Sequence, residues 1–258
     1  MINKIPIVRY DSNGVHEIDD LIIRELRANL IINGELYLSM MCMPEAFEEL
    51  AVGFMFSEGL IKSFEDIKSI NATCTGNIFV FTHQPIKVSE TEKRVLISGC
   101  ANGSVNLSFL NQENLQKLEG SQTYSPAEIV EMMSKFSKQS PVFMETGAVH
   151  SAALLFKNGD SVFFEDIGRH NAVDKIVGTA LMKKLPMREG VLLISGRISS
   201  EIALKTSRLG IPVLISQSAP TSMSVAIAEK VGLTLVGFAR GRRFNVYCGG
   251  FRITENAV

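Results

Sequence analysis

Cysteine is scarce in this chain: four in 258 residues, Cys42, Cys74, Cys100 and Cys248. No two stand at C-x-x-C spacing, so neither a zinc ribbon nor a disulfide framework is indicated. Neither sign of charge is in excess: 26 Lys and Arg stand against 27 Asp and Glu, a net charge of −1. That argues against non-specific nucleic-acid binding and leaves room for a local basic pocket. No uncharged apolar run approaches the ~18 residues of a membrane span. The opening Met1-Ile2-Asn3-Lys4-Ile5-Pro6 has no signal-peptide pattern. A reduced, cytoplasmic protein without membrane or nucleic-acid partners is the default expectation. The G-x-x-x-x-G-K-[ST] phosphate loop, the G-x-G-x-x-G fingerprint and the G-x-S-x-G elbow are all missing. His150-Ser151-Ala152 lacks the glutamate of a zinc deaminase's H-x-E, and no P-C-x-x-C follows. No metal ligand set is expected, although His150 could still face a pocket.

What is present is apolar: 46% of the residues are hydrophobic. That supports a sizeable core without staples, in one large or two small domains. Strands are expected at 28–32 and 35–43, joined by Asn33-Gly34, a type I′ hairpin signal. Pro44 then predicts a helix start, with Phe47, Leu50, Ala51, Phe54 and Met55 on one face and Gly59 ending it. Short strands are expected near 77–82 and 93–97. Residues 111–124 are polar and suggest a linker or domain edge. The divided reading is a smaller β-rich domain with one helix over 1–120 and a larger domain over 121–258. Ser125-Pro126-Ala127-Glu128 is a capping box that opens a helix.

Beyond it, strands at 151–157 and 161–166 meet at Asn158-Gly159. They are followed by a helix over 170–184, a strand at 191–195, a helix over 200–209 and a strand at 212–215. A helix over 222–231 and strands at 233–238 and 244–248 complete the chain. This alternation predicts an α/β layered domain with a partly parallel sheet, α+β when the whole chain is counted.

One loop stands out for chemistry: Ser98-Gly99-Cys100-Ala101-Asn102-Gly103-Ser104, after the apolar Arg94-Val95-Leu96-Ile97. Glycines beside a thiol just past a strand let another molecule approach closely. The competing reading is that a free cysteine is a small buried hydrophobe. In α/β sheets ligands sit beyond the carboxyl ends of strands. Here those ends run into polar clusters: Glu165 to Asn171 with Asp174-Lys175 one turn on, Ser195-Gly196-Arg197, Ser216 to Thr221, and Phe238-Ala239-Arg240-Gly241-Arg242-Arg243. Arginines and helix N-termini suit a phosphate or pyrophosphate. Against this, three arginines in four residues also describe a solvated turn. Arg197 could simply cap a helix, and a lone His170 could be structural.

Four segments together resemble the FdhD-type formate dehydrogenase accessory family: PEAFEELAVGFMFSEGLI from Pro44, TGAVHSAALL from Thr146, EDIGRHNAVDKIVG from Glu165, and SGRISSE through SQSAPTS to VGFARGRRFNVY from Ser195 to Tyr247. The resemblance implies a sulfur carrier. It would accept sulfur from a cysteine desulfurase as a persulfide and deliver it to the molybdenum or tungsten bis(pterin guanine dinucleotide) cofactor of formate dehydrogenase. It implies a cytidine-deaminase-like three-layer C-terminal domain without zinc, and a homodimer. It carries the persulfide role to Cys100 and cofactor binding to Phe238, Ala239, Arg240, Gly241, Arg242 and Arg243, with Arg169, His170, Ser195, Arg197 and Ser218 as further pocket residues. Many relatives carry C-x-x-C in the loop, whereas Gly103 holds the second position here. A two-thiol relay within the loop is thereby excluded, and Cys42, Cys74 and Cys248 read as packing residues. Two rivals remain: a chaperone that holds the cofactor without sulfur chemistry, and a nucleotide-modifying enzyme, which the missing zinc ligands disfavour.

Overall fold

The structure, a computed structural model, describes residues 1–86, 94–96, 117–118, 120 and 122–255. The chain opens with a long hairpin, β1 (Ile2–Asp11) against β2 (Gly14–Ile23), that stands as its own two-stranded sheet. A five-stranded sheet follows, in the order β5 (Ile67–Ala72), β6 (Asn77–Thr82), β3 (Leu26–Ile32), β4 (Glu35–Cys42), β7 (Arg94–Leu96). The Asn33-Gly34 turn joins β3 to β4 as a two-residue loop, with φ 52° and 92° at its two positions. Those left-handed values are what a type I′ turn demands and what Asn and Gly supply most cheaply.

Helix α1 (Phe47–Ser57) buries residues all round, because it lies between this sheet and the next layer. The start expected at Pro44 is displaced. Glu45 N–H donates to Met43 O, Met43 N–H is taken by Asp166 Oδ2 at 3.1 Å, and Ala46 adopts φ 52°. Residues 43–46 therefore turn, and helical geometry begins at Phe47.

The second body is built on a mixed six-stranded sheet. Its order is β13 (Arg243–Cys248), β12 (Thr234–Arg240), β11 (Val213–Ser216), β10 (Val191–Ile194), β8 (His150–Leu155), β9 (Ser161–Asp166). Strands β10, β11 and β12 run parallel, each pair joined by a helix, and β8, β9 and β13 pair antiparallel. Helices α4 (Arg169–Met182), α5 (Ser200–Arg208) and α6 (Ser222–Val231) cover one face through Ile176, Ile202 and Ile227. Helix α2 (Pro126–Lys138) covers the other through Ile129, Met133 and Phe136. The result is three layers. The predicted capping box closes α2 at both ends of the pair: Ser125 N–H donates to Glu128 Oε2 and Glu128 N–H to Ser125 Oγ. A short helix, α3 (Pro141–Thr146), precedes β8.

The expected linker is partly packed structure. Residues 111–116, 119 and 121 lie outside the described residues. Leu118 N–H, however, donates to Val231 O, and Tyr124 is buried with its N–H on Arg252 O. Arg252, itself buried, donates to the carbonyls of Leu118, Gly120 and Gly232. A buried guanidinium with this many acceptors fastens the segment to the second sheet.

The two bodies meet along α1 and α4 at backbone contact. A Cβ on Gly53 would lie 1.8 Å from Asp174 O, and one on Gly178 would lie 1.9 Å from Glu49 O. Only glycine permits that approach. Charged groups are buried beside it. Lys175 Nζ pairs with Asp166 Oδ2 at 2.8 Å, both side chains fully buried. Asp166 also accepts from Met43 N–H, Gly168 N–H and Asn171 Nδ2, and Asn171 Nδ2 reaches Met41 O. Lys205 Nζ lies 2.7 Å from each oxygen of Asp174, which also accepts from Ser57 Oγ at 2.8 Å. Charges so deep are tolerated only because their lone pairs and protons are matched. Asp166, Asp174 and Lys175 were expected at the ligand edge; they instead face inward and join the bodies. Glu165 also faces inward, but within the second body: its carboxylate accepts Val142 and Phe143 N–H at the start of α3.

Candidate functional site at the sheet edge

The strand registers bring the predicted strand ends to one edge. Ile194 pairs with Ser216 and Ala152, Ile215 with Val236, and His150 with Asp166. The carboxyl ends of β10, β11 and β12 therefore lie beside the start of β8 and the end of β9. This is the crevice position at which open α/β sheets bind ligands.

Around β10 and β8 sits one cluster. Ser195 Oγ accepts Ser151 N–H at 2.9 Å and lies 3.3 Å from His150 Nδ1. Arg169 and His170 are the first two residues of α4. His170 Nε2 lies 3.0 Å from Glu201 and 3.3 Å from Ser199 Oγ. Arg197 is exposed on the loop before α5. Burial, then the charges of Arg169, His170 and Arg197, hold the His150 imidazole below its ordinary 6.5. Burial pushes the Glu201 carboxyl upward, but the His170 hydrogen bond and charge, with Lys205 and Arg169, bring the net shift down.

A second cluster occupies β11, β12 and β13. Ser216 Oγ donates to Gly196 O at 2.6 Å and accepts Ser218 N–H, tying it to the first cluster. Ser218 O accepts Phe238 N–H, and Arg240 Nε donates to Gln217 O. Phe238 is exposed at φ 52°, beside a register shift between Gly237 and Arg240. A left-handed phenylalanine costs about 1–2 kcal/mol, and the Ser218 bond contributes to holding it there. Arg240 pairs with Arg243 across a tip made of Gly241 and Arg242, all three arginines exposed. Ala239 differs from the other predicted cofactor residues: its side chain is buried in the core under α2. With strands about 4.8 Å apart, β8 and β12, three places apart, set the clusters on the order of 14 Å from each other.

Cys100 and its loop lie outside the described residues. The strand that leads to the loop is described: β7 runs parallel to β4, with Leu96 opposite Met40. Two residues past Met40 is Cys42, and Met43 N–H then bonds the buried Asp166 at the junction of the two bodies. Burial pushes the Cys42 thiol up to about 12 and Cys248 up to about 11, so neither is a nucleophile at neutral pH. Cys74 departs from its expected packing role: it is exposed, in the turn between β5 and β6.

Sequence reasoning did not single out Glu201, the partner of His170, or Ser199. Both lie a helix away in the chain, and only the meeting of the α4 and α5 N-termini joins them to the site.

A three-layer α/β fold whose mixed sheet gathers arginine and histidine at the ends of its parallel strands is the class these elements define. The comparisons with known proteins narrow it. The FdhD/NarQ family model matches residues 23–254. The sulfur carrier protein FdhD of Wolinella succinogenes is 37% identical over 99% of this chain and 91% of its own length. That of Staphylococcus aureus is 34% identical over 97% of this chain and 96% of its own. A crystal structure from Desulfotalea psychrophila, described as a candidate formate dehydrogenase accessory protein, superposes with a TM-score of 0.80. It has 29% identity and covers 98% of this chain and 99% of its own. The chain belongs to the FdhD/NarQ family.

Proposed function

We propose that this protein is a carrier-type sulfurtransferase serving formate dehydrogenase. A desulfurase persulfide meets the Cys100 thiolate; its S–S bond breaks, and the terminal sulfur forms a new one on Cys100. At the molybdenum or tungsten bis(pterin guanine dinucleotide), the substrate here, that S–S bond breaks in turn. Its electron pair stays on Cys100 as thiolate, and the reduced metal supplies the pair that makes the sulfur a sulfide. The arginine hairpin Arg240 to Arg243 and the exposed Phe238 would hold the guanine nucleotide end, as the deaminase-like reading of the fold suggests. Binding remote from the reacting atom fixes the metal near the sulfur.

The observation that carries this reading is the convergence of the strand ends into one cationic edge, in a chain whose relatives are named sulfur carriers. Leu96 ends β7 four residues before Cys100, within about 14 Å of chain reach. The test is mass spectrometry after incubation with a cysteine desulfurase and cysteine. One sulfur atom gained on the Cys100 peptide, absent from Cys100→Ala and not accounted for by the exposed Cys74, is the expected result. Cys100→Ala should also fail to activate formate dehydrogenase. Gly103 in place of a second loop cysteine favours one alternative, a cofactor-holding chaperone. Full activation by Cys100→Ala would establish that alternative and end the carrier reading.

A further inference from the structure

Two histidines stand at the edge, and their neighbours differ in sign. Burial, and then the positive charges of Arg169, His170 and Arg197, work against a proton on His150. His170, at the second position of α4, has a carboxylate beside it instead: its Nε2 lies 3.0 Å from Glu201 Oε2. Burial opposes ionisation of Glu201, yet the His170 hydrogen bond, then the charges of His170, Lys205 and Arg169, bring its carboxyl below its ordinary 4.5. An ionised carboxylate only accepts. The ring nitrogen facing Glu201 therefore carries a proton, in the neutral and in the charged ring alike. Ser199 Oγ, 3.3 Å from the same nitrogen, is the N-cap of α5 and accepts Ile202 N–H. Nδ1 is left without a hydrogen-bond partner among the described residues, on a side chain 17% exposed.

The pair is one rung of a short charge ladder. His170 and Asp174 stand one turn apart on α4, and Glu201 and Lys205 one turn apart on α5. His170 meets Glu201, and Asp174 meets Lys205 at 2.7 Å in the buried inner rung. Ser57 Oγ fastens that inner rung to α1. Glu201 thus has a fixed cation on either side and a fixed place opposite His170. A carboxylate held on one imidazole nitrogen orients the ring and makes the other nitrogen a stronger proton acceptor. The remaining basic groups around the two histidines, Arg169 on α4 and Arg197 on the β10–α5 loop, are permanent cations and take no proton.

We propose that His170 is the proton acceptor of this edge for a thiol brought to it, and that Glu201 is its positioning residue. The S–H bond breaks, the electron pair stays on sulfur as thiolate, and the proton goes to Nδ1. Glu201 balances the imidazolium that forms. The thiol as proton source rests on the function proposed above; the pairing of Glu201 with His170 does not.

Diethyl pyrocarbonate acylates an imidazole nitrogen that has a free lone pair, and the exposed His16 and His83 serve as internal controls. Rates are read for each histidine of the full chain by mass spectrometry at mildly alkaline pH. In the wild type His170 should react at least as fast as His16, although its side chain is 17% exposed against 44%. Glu201→Gln should slow His170 roughly tenfold and leave His16 and His83 unchanged. A wild-type His170 slower than His16, or a rate that the folded variant leaves unchanged, overturns the proposal. If the variant fails to fold, all four histidines speed up together, and the wild-type ranking decides alone. In formate dehydrogenase activation, His170→Gln and Glu201→Gln should each lower the rate by a similar factor, with no further loss in the double variant. Additive losses would overturn action through His170. Full activation by Cys100→Ala would end the carrier reading and the thiol with it, while the acylation rates would still report the pairing.

Discussion

One stretch of sequence, Glu165 to Lys175, supplies charged residues to two regions that behave in opposite ways. Asp166, Asp174 and Lys175 turn into the junction between the bodies, where every partner is fixed and water is excluded. Arg169 and His170, between them in the chain, face the edge, with Arg197 exposed nearby and like charges crowded together. At the junction opposite charges are matched one to one. At the edge positive charge gathers beside a histidine kept neutral. The first arrangement is that of a structural joint, and the second that of the edge proposed above to hold the cofactor's phosphates. A helix start can serve both because successive residues leave it in different directions.

The comparison breaks most visibly at the joint. Lys175→Ala leaves Asp166 buried and unpaired, and should cost about 3–5 kcal/mol of stability, read as a large loss in denaturant midpoint. An intact midpoint would mean the pair is not holding the bodies. At the edge the balance reverses. Arg240→Ala should shift stability by less than about 0.5 kcal/mol and weaken GDP binding roughly tenfold. A variant that lost stability and kept affinity would move the nucleotide elsewhere.

The smallest effect sharpens the contrast by pH. The folded His150 sits below 6.5, so below that value the unfolded chain takes up its proton first. Its contribution to stability is complete above about 6.5 and fades as pH falls toward the folded value. Burial raises the Glu45 and Glu58 carboxyls, which work in the opposite sense. Only the difference between wild type and His150→Gln isolates the histidine. The variant should lose less stability on acidification; parallel curves would show that the imidazole is not held neutral.

What was legible in the sequence was local or periodic. Asn33-Gly34 specified its turn, Ser125 and Glu128 their cap, and the helix over 222–231 its full extent. The edge was legible because parallel strands joined by helices must end on one side, which groups Ser195, Ser218 and Arg240 without knowledge of side chains. The joint was not. Asp166 meets Met43 across 123 positions, and no window of sequence holds both. The β1–β2 hairpin was missed because apolar alternation fails in Ile5-Pro6-Ile7-Val8 and its residues face solvent on both sides. Strand β5, exposed at Lys68 and Ser69, gave too little pattern, and α3 is too short for a helical period.

The glycine contact between α1 and α4 has a consequence for synthesis. Ribosomes deliver the first body before the second, and domains begin folding as they emerge. Gly53 and Met43 must wait until residues 166–178 are made before their contacts exist. Until then one side of α1 has nothing to lie against. A chain stopped short of residue 178 therefore lacks the seam altogether, and α1 gains its second neighbour only once α4 has been made.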